Sequence, residues 1–113
     1  MYLDKVNHSI EENTFLNETV EQLAKDFAMI GIDFDINKPV SSYKSLFDFT
    51  FKLITTINQQ YPKKILNLLY RIDLSEEFVQ EQMKETEYSF TEMLSELIVK
   101  RELYKVILRK NKF

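Results

Sequence analysis

Glycine occurs once and proline twice in this 113-residue sequence, and this shortage of turn-forming residues limits the folds open to the chain. Sandwiches and barrels of β-strands need frequent turns, most of which contain glycine or proline. Helices need neither residue along their length. Hydrophobic residues make up 44% of the sequence, and a chain of this length has room for one core. We therefore predict a single all-α domain over residues 1–113. Within it, residues 1–12 are candidates for a loosely ordered segment.

Hydrophobic spacing predicts two helices in the first half. The first runs from about Thr14 to Ile30 and is followed by Gly31, the residue type that most often ends a helix in the left-handed conformation. The second runs from about Tyr43 to Gln59, with Ser41 or Ser42 as its cap. Both helices carry an apolar stripe wide enough to face a core.

Residue patterns in the second half of the sequence predict three more helices. Pro62 suits the first turn of one helix, and Ser75 is a cap for a shorter one. Ser89 and Glu92 have the spacing of a capping box, and the longest helix follows them to about Lys110. The expected fold is therefore a small bundle of about five helices with a long C-terminal helix.

Residues 33–44, DFDINKPVSSYK, open like a calcium-binding loop. Such a loop needs glycine at its sixth position and a bidentate glutamate at its twelfth. Here those positions hold Lys38 and Lys44, and an ammonium group would repel the cation. We interpret the segment instead as an extended connector whose alternate apolar residues face the core.

The residues needed for most enzymatic chemistry are scarce. There is no cysteine, a single histidine (His8) near the start, and too little glycine for a phosphate-binding loop. Glu92 and Glu96 lie one helical turn apart and can share a face, but that spacing is more typical of a solvated surface. We expect no catalytic, cofactor or metal site and no enzymatic activity.

The expected location is the cytoplasm. The sequence has no apolar run approaching the roughly 20 residues that span a membrane. It also begins without the basic and apolar regions of a secretory signal, and its lack of cysteine fits a reducing compartment.

Charge is unevenly distributed. Residues 100–113 carry a net charge of +5, which leaves −8 for residues 1–99 because the whole chain carries −3. Arg101, Lys105, Arg109 and Lys110 are candidates for a surface that binds anions or nucleic acid. The same residues also suit two structural roles, because cations favour the end of a helix and because this segment can pair with the acidic body.

The segment FDFTF places Phe47, Phe49 and Phe51 at intervals of two residues. Each interval turns about 200° around a helix axis, so one narrow stripe does not bury all three. A central helix packed on several sides is the favoured interpretation. If an aromatic residue is exposed instead, Tyr43, Phe49 and Phe51 form a candidate interaction surface.

The stretches ILNLLYRIDLSEE and ELIVKRELYKVILRK resemble an uncharacterised family of small helical bacterial proteins with no assigned activity. The resemblance covers the chain from Tyr61 onward and rests on residues that form helices and caps. It implies a helical fold in a bacterial cytoplasm and transfers no functional residue. From the sequence itself, Arg71 is expected to reach backbone groups at a helix end, or a carboxylate of the last helix such as Glu96 or Glu102.

These observations give two functional hypotheses. The first is a helical domain that acts through protein–protein contacts, as a possible homodimer. The alternative is a small nucleic-acid-associated regulator that uses the basic C-terminal helix.

Overall fold

The computed structural model describes residues 15–35 and 40–110, and these residues form helices without any β-strand. The five helices are α1 (Leu16–Met29), α2 (Tyr43–Gln60), α3 (Pro62–Arg71), α4 (Glu76–Glu85) and α5 (Phe90–Lys110). The prediction of an all-α bundle with a long C-terminal helix is confirmed.

Helix α5 is the centre of the bundle. It packs against α1, α2 and α4, while α3 packs on α2 and α1. Buried residues cover most of its circumference: Met93, Leu94, Ser95, Ile98, Val99, Glu102, Leu103, Val106 and Ile107. The three neighbours of α5 enclose these sides, and the remaining side, with Lys100, Arg101 and Tyr104, is only partly buried.

Serine side chains begin three of the helices, as the sequence predicts. The backbone N–H of Ser45 donates to Ser42 Oγ over 3.1 Å, and that of Phe78 donates to Ser75 Oγ over 3.1 Å. At α5 the bonds are reciprocal, because Glu92 N–H donates to Ser89 Oγ and Ser89 N–H donates to a Glu92 carboxylate oxygen, each over 3.2 Å. These bonds satisfy donors that a helix start otherwise leaves free.

Helices α1 and α3 end in the same way, with one residue in the left-handed conformation. Gly31 has φ 79° and Asp73 has φ 59°. At each end, two backbone N–H groups donate back into the last turn, from residues 31 and 32 to 28 and 27, and from 73 and 74 to 70 and 69. This is the Schellman arrangement, so Gly31 ends its helix as predicted, whereas Asp73 adopts a conformation that favours glycine.

The connector after α1 begins as expected. Phe34 is buried, while Asp33 and Asp35 on either side of it are exposed. The remainder of the connector, residues 36–39, lies outside the described residues. So do residues 111–113 and residues 1–14, which include His8 and the predicted start of the first helix at Thr14. Within the described ranges, no helix has the length and hydrophobicity needed to cross a membrane.

The two left-handed positions predict opposite effects of substitution. Gly31→Ala places a Cβ in a strained conformation, 3.1 Å from the flexible end of Lys64, and we expect it to lower the free energy of unfolding by about 1–2 kcal/mol. Asp73→Gly relieves strain and should raise it by roughly 0.5 kcal/mol. Urea denaturation of both variants tests this. Equal effects of the same sign would contradict the assignment of these residues as helix ends.

Candidate functional site

A row of aromatic rings runs along one face of α2. Tyr43, Phe47 and Phe51 are spaced four residues apart, and all three are partly buried. The ring centroids of Tyr43 and Phe47 are 6.4 Å apart, and those of Phe47 and Phe51 are 6.3 Å apart with nearly parallel planes. Spacing by one helical turn places these rings side by side.

Phe49 lies apart from this row. Its ring meets that of Phe34 edge-on at 4.9 Å, and Phe34 in turn packs at 5.0 Å against the fully buried Phe27. Of the predicted interaction residues, Tyr43 and Phe51 therefore share one face, and Phe49 joins the core on another. Phe47, which was not among them, belongs to the row.

The start of this row opens into a cavity between α2 and α5, which we call the α2–α5 groove. Its volume is about 210 Å³, and its lining consists of Tyr43, Lys44, Phe47, Tyr88, Glu92 and Glu96. Glu92 and Glu96 do share a face of α5, as their spacing predicts. The lining thus combines three aromatic rings with two carboxylates and one ammonium group.

Two residues that line the α2–α5 groove, Glu96 and Tyr43, are affected by their surroundings. Lys100 Nζ lies 2.8 Å from Glu96 Oε1, one turn further along α5. Burial, with a smaller contribution from the Glu96 charge, raises the pKa of the Tyr43 hydroxyl well above its ordinary value. Tyr43 therefore remains a neutral phenol, which can donate a hydrogen bond, throughout the physiological pH range.

The predicted anion-binding residues all contact other parts of the chain. Arg101 Nε donates to the backbone oxygen of Ile72 over 2.8 Å, and its guanidinium lies 4.0 Å from the Asp73 carboxylate. Since Arg101 thereby binds the chain at the end of α3, part of the predicted basic surface has a structural role.

The other three predicted anion-binding residues, Lys105, Arg109 and Lys110, face α1. Arg109 donates to the Gln22 side chain over 2.9 Å, and Lys110 Nζ lies 3.8 Å from Glu18. Lys105 is the most enclosed of them, with Nζ 3.5 Å from Asp26 and 3.4 Å from Glu102. The structure thus brings Lys105, Arg109 and Lys110 together along α1. This agrees with one of the two structural roles considered from the sequence, in which the basic segment pairs with the acidic body.

Two buried carboxyl groups lie beneath Lys105. Asp26 of α1 is 1% exposed and Glu102 of α5 is fully buried. Asp26 accepts hydrogen bonds from Arg71 Nε at 3.0 Å and from the Gln22 amide at 2.9 Å. Neither oxygen of Glu102 receives a hydrogen bond from the described residues, which is far more costly for a charged carboxylate than for a protonated one.

The surroundings give the two acids opposite protonation states. Burial and the neighbouring Asp26 raise the pKa of Glu102 to about 9, against the opposing influence of Lys105. Burial also raises the pKa of Asp26, but hydrogen bonds from Glu102, Gln22 and Arg71 outweigh it, so that the pKa falls to about 2. At neutral pH, Glu102 is therefore protonated, and its O–H donates a hydrogen bond to the ionised Asp26 carboxylate.

Sequence reasoning missed this pair, although a signal was available. Asp26 lies beside Phe27 and three residues after Leu23 on the stripe of α1, and Glu102 lies midway between Ile98 and Val106 on α5. An acid within an apolar stripe indicates a buried, partnered group. Arg71 reaches Asp26, and not the backbone groups or the last-helix carboxylates that were expected.

No protein-family model, curated protein or solved structure matches this chain. The resemblance to a family of small bacterial proteins therefore stays a prediction.

The protonated Glu102 predicts a loss of stability with rising pH. Between pH 4.5 and about 9 the folded chain retains a proton that the unfolded chain has lost, so the free energy of unfolding falls as pH rises. Glu102→Gln keeps the shape and a donor without this proton. We expect it to raise the free energy of unfolding at neutral pH by roughly 1–3 kcal/mol and to flatten its pH dependence.

Urea denaturation at several pH values across this window measures the effect. Glu81→Gln on exposed α4 is the matched control and should leave the profile unchanged. A Glu102→Gln profile parallel to that of the unaltered chain would show that Glu102 is ionised in the folded state.

Lys105 and Lys110 should differ in their contributions to stability. Lys105→Met removes a cation from the buried acid pair, and we expect it to lower the free energy of unfolding by about 1–3 kcal/mol. The loss is no larger because Arg71 still binds Asp26. Lys110→Met breaks only an exposed ion pair and should cost at most about 0.5 kcal/mol. Urea denaturation at neutral pH compares them, and equal losses would contradict a structural role for Lys105.

Proposed function

We propose that this chain is a non-enzymatic helical domain that acts through protein–protein contacts, with a second copy of itself as the first partner to test. A bacterial cytoplasm is the setting we propose for it. The single observation that carries the proposal is the α2–α5 groove, where an aromatic cavity opens beside an exposed tyrosine.

The exposure of Tyr88 is the clearest part of this support. It is 58% exposed at the edge of the α2–α5 groove, and the partly buried rings of Tyr43 and Phe47 line the adjoining wall. Tyrosine is enriched at the centres of protein interfaces because it buries a large apolar area and still satisfies its hydroxyl. A partner that covers Tyr88 would extend the aromatic row of α2.

The nucleic-acid alternative has less support. A phosphate-binding surface needs cations that are free to replace counterions. Arg101, Lys105, Arg109 and Lys110 each lie within contact distance of an oxygen of the chain itself. Binding of nucleic acid would compete with these internal contacts.

Substitution of Tyr88 tests the proposal. If two copies associate through the α2–α5 groove, Tyr88→Ser should weaken the dimer about tenfold or more, as truncation of a central interface aromatic does. Tyr70→Ser is the matched control, because Tyr70 is an exposed tyrosine (71%) on α3 that does not line the α2–α5 groove. Size-exclusion chromatography with light scattering, over a range of concentrations, gives the mass relative to the 13.6 kDa chain.

Three outcomes have distinct meanings. A dimer that Tyr88→Ser dissociates and Tyr70→Ser preserves supports the proposal. A dimer insensitive to Tyr88→Ser, or a monomer at every concentration, contradicts self-association through this surface. Absorbance dominated by 260 nm at low salt, and lost at high salt, would favour the nucleic-acid alternative, since the chain has no tryptophan and its own absorbance at 280 nm is weak.

A further inference from the structure

We propose that the α2–α5 groove receives an arginine or lysine side chain of the protein partner. The inference rests on the proposed function and names the chemistry of the partner. The side chain that enters the α2–α5 groove has a long aliphatic stem and ends in a cation. The residues of the partner beside it need only pack against the exposed Tyr88.

The aromatic lining suits such a side chain. Tyr43, Phe47 and Tyr88 line a cavity of about 210 Å³. Aromatic rings attract cations through their negative faces, and the aliphatic stems of arginine and lysine cover apolar surface while their heads remain near polar groups. An uncharged apolar residue would use the rings alone.

The carboxylates supply the charge complement. Glu92 and Glu96 lie one turn apart in the same lining. One oxygen of Glu92 accepts the N–H of Ser89, and one oxygen of Glu96 is bound by Lys100. Within the described part of the chain, the second oxygen of each carboxylate receives no hydrogen bond, so each can accept one from a guanidinium or ammonium group.

An anion is a poorer occupant, although two helices begin beside the α2–α5 groove. The start of a helix attracts anions through its free backbone N–H groups. Here the N–H groups of Ser45 and Glu92 already donate to serine hydroxyls. The Glu92 carboxylate also occupies the first turn of α5, where it offsets the positive end of the helix dipole.

Lys44 is the opposing charge in the lining, and it provides a test of sign. A guest cation is repelled by Lys44 and attracted by Glu92. Removal of the two charges should therefore change the affinity in opposite directions. A purely apolar guest would be nearly insensitive to both changes.

The test uses two small probes of nearly the same shape, of which one is charged and the other is neutral with a carbonyl in place of one NH2 donor. N-acetyl-arginine amide presents the guanidinium, and N-acetyl-citrulline amide presents a neutral group of the same shape. NMR titration of the full chain should show saturable amide shifts for residues 43–47 and 88–96 with the arginine probe. We expect the citrulline probe to bind at least about fivefold more weakly, since it lacks the charge–charge attraction.

Three variants complete the experiment. Glu92→Gln retains the capping box, in which glutamine is an accepted partner, and should weaken arginine binding by about threefold. Lys44→Met retains the aliphatic stem and should strengthen it by about twofold. Glu81→Gln removes an exposed carboxylate from α4, and it should leave the affinity unchanged.

Each outcome decides the inference. Equal affinity for the arginine and citrulline probes, or unaltered affinity in both Glu92→Gln and Lys44→Met, overturns it, as does an absence of shifts near the α2–α5 groove. The proposed function has its own readout in the oligomeric mass of Tyr88→Ser. A dimer that depends on Tyr88 but shows no preference for arginine would retain the function and reject the cation.

Discussion

The carboxylate of Asp26 is bound by side chains of two other helices, so that it connects three helices of the bundle. It lies on α1, accepts a hydrogen bond from Arg71 of α3, and lies beneath Lys105 of α5. The protonated Glu102 completes its surroundings from α5. Because an unpaired carboxylate is very costly in a core, α1 can dock only in the position that supplies all of these partners.

Such a network selects one arrangement more than it increases stability. Exchanging a buried polar cluster for apolar residues is often neutral or stabilising. Apolar side chains, however, tolerate many packings, whereas Asp26 requires Arg71 and Glu102 at specific distances. Because Glu102 and Lys105 both lie on α5, and α5 is buried around most of its circumference, this requirement restricts the rotation of α5 relative to α1.

Much of the architecture could be predicted because its determinants are local. Ser42, Ser75 and Ser89 cap the helices that follow them, and Gly31 ends α1, through contacts a few residues apart in sequence. The partners of the cations could not be predicted in this way. Arg71 and Asp26 are 45 residues apart, and the choice of Asp26 over Glu96 or Glu102 depends on how α1 and α3 meet. The aromatic row could have been predicted, because Tyr43, Phe47 and Phe51 recur at intervals of one helical turn. That Phe49 joins the core could not, because it depends on contact with Phe34 of the connector.

The central position of α5 has a consequence for the synthesis of the protein on the ribosome. Helices α1 to α4 precede α5 in the chain, and most of their apolar faces pack against it or against one another around it. Until residues 90–110 have left the exit tunnel, the nascent chain lacks the element around which its core forms. A ribosome adds roughly 5–20 residues per second, so these apolar faces stay exposed for about a second or more. The order of the helices therefore delays the folding of this bundle until α5 has been synthesised, and it lengthens the time for which the apolar faces of the earlier helices are exposed.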